Sequence, residues 1–167
     1  MVVASDYLIP VLMSLVLLGM WFTGSSVELR ERNQRGVISA IVSLAFANIA
    51  VELMNQMFFR PRPFADLEVA LLFYQPTDSS FPSNPAVVGF ATAMGVWVWN
   101  TRVGAILLGA ATLFAIARVY AGVCYPLDVL GGAAIGVLVS LLVVMLLRWM
   151  KPLPDLLLRL ARLLYMA

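Results

Sequence analysis

The sequence predicts an all-α, polytopic membrane helix bundle with about five transmembrane helices and additional interfacial helices. Of the 167 residues, 62% are apolar and only 12% are charged, whereas soluble domains carry about 25% charged residues. The apolar residues fall into long runs, and one membrane-spanning helix needs about 20 such residues. The length suits a single membrane domain over residues 1–167 and leaves no room for a second domain.

Five apolar runs are the candidates for the spans, at residues 7–23, 37–59, 86–99, 103–120 and 127–149. The first run lacks a basic leader and a small-residue cleavage site, so we expect it to be retained as a helix. The charged stretch 28–36 is predicted to be a loop between the first two spans. The third run is short for a hydrocarbon core about 30 Å thick.

Two further segments are predicted to lie at the membrane surface. Segment 65–74 is amphipathic and too short to cross the bilayer, so we expect it at the interface or folded over the bundle. The C-terminal tail, residues 153–167, places leucines on one side and Arg159 and Arg162 on the other. That pattern is typical of a basic helix on a membrane surface, and packing against a partner or a neighbouring helix is the alternative.

The basic residues predict the orientation of the bundle. Alternating spans place most of them on one side, namely Arg30, Arg32, Arg35, Arg102, Arg148, Lys151, Arg159 and Arg162, and leave Arg60, Arg62 and Arg118 on the other. Because cytoplasmic loops carry the excess of Lys and Arg, the first side is predicted to be cytoplasmic, including the C-terminal tail. The N-terminus is then outside, and the size and the charge bias fit a bacterial plasma membrane.

The composition also excludes several kinds of site. The chain contains no histidine and a single cysteine, so it has no internal disulfide, and neither a structural zinc site nor a haem with an ordinary axial ligand is expected. We therefore expect no metal and no cofactor. A formal net charge of +2 gives no reason to expect a nucleic acid partner.

Two patterns inside the spans concern helix packing. Gly132 and Gly136 are spaced to let helices approach closely, and we expect them to pack inside the bundle. A polar stripe runs down the second span through Asn48, Glu52, Asn55 and Gln56. A carboxylate within a span is a candidate functional group, although Glu52 is equally consistent with a contact to another helix or to a partner subunit.

Three short segments carry the residues with chemistry. They are Asn55-(x6)-Arg62-Pro63, Phe81-Pro82-Ser83-Asn84-Pro85 and Ala117-Arg118-(x5)-Cys124-(x3)-Asp128. The alternation of the spans places all three at the same, outer end of the bundle. We therefore expect them to form one pocket, although they are far apart in the sequence.

The arginines in these segments suggest an anion site. The planar guanidinium groups of Arg62 and Arg118 match phosphate oxygens, and Ser83 adds a hydroxyl just before a predicted helix start, where free N–H groups favour an anion. The alternative is that the arginines are interfacial anchors, or that they pair with Asp66, Asp78 or Asp128.

The three segments together resemble the type 2 phosphatidic acid phosphatases, the lipid phosphate phosphatases related to vanadium haloperoxidases. That family shows Lys-(x6)-Arg-Pro, Pro-Ser-Gly-His and Ser-Arg-(x5)-His-(x3)-Asp, and the match covers the motif core, residues 55–136. The resemblance implies a lipid phosphate phosphatase-like bundle in which Arg62, Ser83 and Arg118 bind phosphate. It also implies that Asp128 supports the residue at the nucleophile position.

The sequence departs from the family pattern at the reactive positions. Asn55 replaces the lysine, Asn84 the glycine, Pro85 the acid histidine, Ala117 the serine and Cys124 the nucleophilic histidine. General acid–base catalysis contributes about 10²–10⁴-fold, and proline supplies none of it. A Cys124 thiolate activated by Arg118 is a conceivable substitute nucleophile, but a cysteine at a helix end is more often a packing residue.

From these observations we expect a catalytically inactive homologue, a membrane binding or scaffold subunit that holds a lipid phosphate. The alternatives are an active phosphatase on phosphatidic acid, phosphatidylglycerol phosphate or a polyprenyl diphosphate, and a purely structural subunit of a larger membrane complex. The expected partners are membrane lipids, in particular a lipid phosphate headgroup, together with other membrane protein subunits.

Overall fold

The structure, a computed structural model, describes residues 2–66 and 78–150, with side chains described over residues 8–64 and 78–150. These ranges form six helices and no strand: α1 Val2–Phe22, α2 Val27–Met57, α3 Pro63–Asp66, α4 Asn84–Trp97, α5 Thr101–Tyr120 and α6 Pro126–Trp149. The predicted all-α bundle is confirmed. Most of the predicted surface segment 65–74 and the whole tail 153–167 lie outside the described residues.

Within residues 2–66 and 78–150, three helices, α2, α5 and α6, are long and apolar enough to cross a membrane. Helix α1 contributes the shorter apolar stretch Leu8–Phe22, and α4 has only 14 residues. Large apolar side chains such as Leu15, Leu113 and Leu142 are exposed on the outside of the bundle. A surface of this kind is suited to lipid and not to water.

Helix α2 starts ten residues before the predicted second span, so the prediction of a loop at residues 28–36 is wrong. Ser26 caps the helix, because its Oγ accepts a hydrogen bond from the Leu29 N–H at 3.2 Å. Glu, Arg and Gln are good helix formers, and the charged stretch continues the helix without a break. The 31 residues of α2 extend about 46 Å, so its charged first part projects beyond a hydrocarbon core of about 30 Å.

Polar contacts hold this charged part of α2 against its neighbours. Asn33 Nδ2 donates to the Thr23 carbonyl at 3.0 Å, and Gln34 Nε2 donates to the Trp21 carbonyl at 3.3 Å. Asn100 Nδ2 then donates to Asn33 Oδ1 at 2.9 Å. The first two bonds satisfy carbonyls at the end of α1, which have no partner within their own helix. We call this end of the bundle the basic end and the opposite end the motif end.

Helix α4 lies at the centre and packs against α2, α5 and α6. It approaches α6 closely at two glycines. A Cβ at Gly136 would lie 2.4 Å from the Val87 carbonyl oxygen, and a Cβ at Gly132 would lie 2.8 Å from that of Ser83. The predicted packing of these glycines inside the bundle is confirmed. It brings the start of α4 against the start of α6, where the second and third motif segments lie.

We expect Gly136→Ala to lower the free energy of unfolding by about 1–3 kcal/mol, the usual cost of overpacking, because the new methyl group would meet a backbone carbonyl. Gly109→Ala is the matched control, since a Cβ there meets no atom within 4 Å. Thermal unfolding of the detergent-solubilised variants measures both. Equal midpoints for the two variants would show that α4 and α6 are not in close contact.

Candidate functional site

The three motif segments meet at the motif end of the bundle. The Ser83 N–H donates to the Asp128 carbonyl at 3.1 Å, which joins the second segment to the third. Arg62 Nη1 donates to the Val123 carbonyl at 3.0 Å, which joins the first segment to the third. Residues separated by more than 60 positions are therefore neighbours, as the sequence predicts.

Arg62 is the best-anchored side chain of the site and is only 6% exposed. Besides its bond to Val123, its Nε donates to the Asp78 carbonyl at 3.0 Å, and its Nη2 donates to Asp78 Oδ1 at 2.8 Å and to the Ser79 carbonyl at 3.4 Å. The guanidinium plane is thereby fixed. The Asp78 carboxylate, 45% exposed, balances its charge, so one of the pairings weighed from the sequence is present.

Asp128 is fully buried and takes part in a second ion pair. Its Oδ1 accepts from Arg60 Nη1, and its Oδ2 accepts a short hydrogen bond from Ser80 Oγ. The Arg60 side chain is 43% exposed, and its guanidinium carbon lies 4.4 Å from the centre of the Tyr125 ring. Both carboxylate oxygens thus have donors from residues outside the positions that the sequence singles out.

Cys124, at the position of the family's nucleophilic histidine, is 2% exposed. Arg62 Nη1 lies 3.6 Å from its Sγ, and Ser83 Oγ donates to the same sulfur at 3.7 Å. The side chain also belongs to a cluster of buried apolar residues with Ala86, Ala115, Ala121, Val123 and Val129. The thiol therefore packs in the core and contacts two predicted phosphate ligands at the same time.

Arg118 lies in the last turn of α5 and is 6% exposed. Its guanidinium carbon is 6.0 Å from the centre of the Phe114 ring. Arg118 and Arg62 line the same cavity. The two guanidinium groups predicted to bind phosphate are therefore on the same side of the molecule and open to one space.

This cavity has a volume of about 490 Å³ and lies between α1, α2, α4 and α5. Its polar lining at the motif end includes Arg62, Asp78, Asn84 and Arg118. Its other walls are mainly apolar and include Pro10, Met13, Leu17, Leu44, Val88 and Phe114. Along α4 it extends from Asn84 to Thr92, a distance of about 12 Å at the rise of an α-helix. The arginines and the apolar walls make the cavity complementary to a lipid with an anionic headgroup.

The replaced motif positions contribute polarity to the site but no proton donor in place of the lost histidine. Asn84 and Pro85 line the cavity at the start of α4, and proline offers neither an N–H nor a titratable group. The side-chain oxygens of Asn55 and Asn84 are buried without a hydrogen-bond partner among the described residues. Ala117 lies one residue before Arg118 in the last turn of α5.

No group of three or more His, Cys, Asp or Glu side chains that could hold a metal ion occurs within residues 8–64 and 78–150. The charged donors that line the cavity are Arg62 and Arg118, which suit an anion, and Ser14, Asn48, Asn84 and Thr92 add neutral polar groups.

Sequence reasoning missed Arg60, Ser79 and Ser80 as parts of the site. Arg60 pairs with Asp128, and Ser79 and Ser80 connect the loop before α4 to the first and third segments. The available signal was the doubled Arg-Pro pattern at residues 60–63 and the Ser pair directly before Phe81. Neither signal says which of two neighbouring arginines meets which carboxylate.

The fold and site define a membrane-embedded helical bundle in which two buried arginines line a cavity at one end. Comparison with known families identifies the superfamily of the chain, because residues 36–151 match the PAP2 superfamily. That match covers well over half of the chain, and the protein belongs to this superfamily. The resemblance drawn from the three motif segments is confirmed.

Several proteins of named function are similar to this chain. It is 34% identical over 113 residues to the bacitracin transport permease protein BcrC of Bacillus licheniformis, covering 67% of this chain and 56% of that protein. It is 27% identical to the undecaprenyl-diphosphatase BcrC of Bacillus subtilis, covering 95% of this chain and 79% of the relative. The chain thus spans little more than half of the first relative and most of the second.

Two solved structures share the fold. Aquifex aeolicus LpxE superposes with a TM-score of 0.69 at 28% identity, covering 86% of this chain and 83% of that one. A PAP2-type phosphatidylglycerolphosphate phosphatase from Bacillus subtilis gives a TM-score of 0.55 at 26% identity, covering 84% and 68% of the two chains. All four proteins come from bacteria, and the names of two of them describe phosphatases.

Proposed function

We propose that this protein binds a lipid phosphate, with the phosphate at Arg62 and Arg118 and the apolar chain between α1, α2 and α4. One observation carries the proposal: two buried guanidinium groups and a mainly apolar wall line a single cavity. Guanidinium–phosphate pairs are charge-assisted and directional. Buried charges of this kind are retained in a membrane protein mainly where they serve a site.

The names of the relatives indicate the class of lipid. The Bacillus subtilis relative that matches 95% of this chain is called an undecaprenyl-diphosphatase. A polyprenyl phosphate or diphosphate is therefore the first candidate ligand, ahead of phosphatidic acid and phosphatidylglycerol phosphate. A long flexible prenyl chain suits a cavity with an apolar wall that extends along α4.

We propose further that the protein does not hydrolyse this ligand by the histidine route of the family. The chain has no histidine, so it lacks both the nucleophile and the acid that protonates the leaving group. Asp128, the family's support for the nucleophile, bonds instead to Arg60 and Ser80. A binding or scaffold role within a membrane complex is consistent with this arrangement.

A second candidate function is a phosphatase in which Cys124 replaces the nucleophile. It is favoured by the distance of 3.6 Å from Arg62 Nη1 to the Cys124 sulfur and by the phosphatase names of the relatives. In such a step the thiolate would form an S–P bond as the P–O bond to the lipid breaks, and water would then release phosphate. Pro85 cannot protonate the departing alkoxide, which weighs against this candidate.

For the orientation, we propose that the motif end faces outward from a bacterial plasma membrane and that the basic end faces the cytoplasm. The described arginines at the basic end are Arg30, Arg32, Arg35, Arg102 and Arg148. Their excess over the motif end follows the positive-inside rule.

Arg62→Gln and Arg118→Gln are each expected to weaken binding of farnesyl phosphate by about tenfold or more, because each removes a charge-assisted bond that contributes about 1.5–3 kcal/mol. Arg102→Gln is the matched control, since Arg102 is exposed at the basic end. Equilibrium dialysis with the labelled lipid measures the dissociation constants, and circular dichroism checks the fold. Unchanged binding in both cavity variants would show that these two arginines do not hold the phosphate.

We expect no release of phosphate when the purified protein is given farnesyl diphosphate, phosphatidic acid or phosphatidylglycerol phosphate. A colorimetric phosphate assay measures this, with a histidine-containing PAP2 phosphatase as the positive control. Release that disappears in Cys124→Ser would establish the second candidate. Release that persists in that variant would come from another route or from a contaminant.

A cysteine introduced at Thr101, exposed at the basic end, is expected to react with an impermeant maleimide only after the cells are permeabilised. A cysteine at Pro61, exposed at the motif end, should react in intact cells. Both are made in a Cys124→Ser background. The reverse pattern of labelling would invert the proposed orientation.

A further inference from the structure

Arg62 has three nitrogens in its guanidinium group, and their partners differ in kind. Nε and Nη1 donate to the backbone carbonyls of Asp78 and Val123 at 3.0 Å each. Nη2 donates to the Asp78 carboxylate at 2.8 Å and only weakly, at 3.4 Å, to the Ser79 carbonyl. The charged partner of Arg62, the Asp78 carboxylate, therefore bonds to Nη2 and to neither of the other two nitrogens.

The Asp78 carboxylate lies where an incoming phosphate would need to bind. Asp78 and Arg62 both line the cavity. Carboxylate and phosphate oxygens use the same donors of a guanidinium group with the same geometry. An anion in the cavity therefore competes with this carboxylate for Nη2 of Arg62, whose second N–H makes only a weak bond, at 3.4 Å, to the Ser79 carbonyl.

The Asp78–Arg62 pair is also the one that can open. The Asp78 side chain is 45% exposed, so its carboxylate can return to water without a large desolvation cost. Asp128 differs, because it is fully buried and both of its oxygens have donors. Releasing Asp128 would leave a buried charge unpaired, which is costly.

We propose that Asp78 is an internal competitor for the phosphate and sets the affinity of the site. The ligand displaces the Asp78 carboxylate from Arg62 Nη2, while the backbone carbonyls keep the guanidinium plane in place. The inference rests on the proposed lipid phosphate function and adds a residue that determines how tightly, and with what charge preference, the site binds.

The preference follows from the charges at the motif end. The described side chains there include three arginines, Arg60, Arg62 and Arg118, and two aspartates, Asp78 and Asp128. Removing the charge of Asp78 makes the site more positive by one unit. A diphosphate carries more negative charge than a monophosphate, so it gains more from this change. Asp78 therefore biases the native site toward the less charged ligand.

The test measures binding of farnesyl phosphate and farnesyl diphosphate to the detergent-solubilised full chain by equilibrium dialysis. Asp78→Asn keeps the size of the side chain and the backbone carbonyl that accepts from Arg62 Nε. It is expected to tighten binding of the monophosphate roughly tenfold and of the diphosphate by a larger factor. Glu52→Gln is the matched control, because it also removes one negative charge, from an exposed residue of α2 bonded to Gln56.

Each outcome decides the inference. A gain confined to Asp78→Asn, larger for the diphosphate, supports it, and so does binding seen in that variant alone. Equal affinities for the native protein and Asp78→Asn overturn it while the proposed function stands. An equal gain in Glu52→Gln overturns it as well, because the effect would be one of net charge. Absence of binding in every protein overturns both proposals. Asp78→Ser replaces Asp78→Asn if gel filtration shows that the latter is not monodisperse.

Discussion

The site depends on a buried guanidinium group that must be fully paired. Arg62 is nearly inaccessible, and a charge in such a place is tolerated only when hydrogen bonds replace its water. Its partners come from the loop before α4 and from the loop between α5 and α6. The bonds that satisfy the charge therefore also join the first motif segment to the third and to the loop that leads into the second.

The polar groups around Asp128 bond to one another where the family's histidine would bond. In the pattern that the chain resembles, the aspartate at position 128 orients the nucleophilic imidazole. Here Arg60 and Ser80 supply donors to both of its oxygens, and the smaller Cys124 packs among apolar residues. A buried carboxylate without partners would be strongly destabilising. The alternative bonding explains how Asp128 remains in a chain that has no imidazole for it to hold.

The sequence predicts those parts of the structure that follow from periodicity and spacing. It does not predict the parts that depend on which polar side chains bond to each other. The apolar runs predict the helices, and the alternation of spans predicts that the three segments meet. The prediction of a loop at residues 28–36 fails because a run of charged residues does not end a helix: α2 continues past the membrane, and its Asn33 and Gln34 bond to the end of α1. The pairing of Arg60 with Asp128 could not be predicted, since two arginines lie within reach of that segment and only packing selects between them.

The length of α4 has a consequence for the depth of the site. Its 14 residues span about 21 Å, which is about 9 Å less than the hydrocarbon thickness of a typical bilayer. If the Trp99–Asn100 turn lies at the level of one headgroup layer, Asn84 lies well beneath the other. A lipid that reaches Arg62 must then sink its phosphate below those of its neighbours and exchange hydration water for protein donors. Lipids that hold their headgroups firmly in the surface plane would be disfavoured by geometry alone.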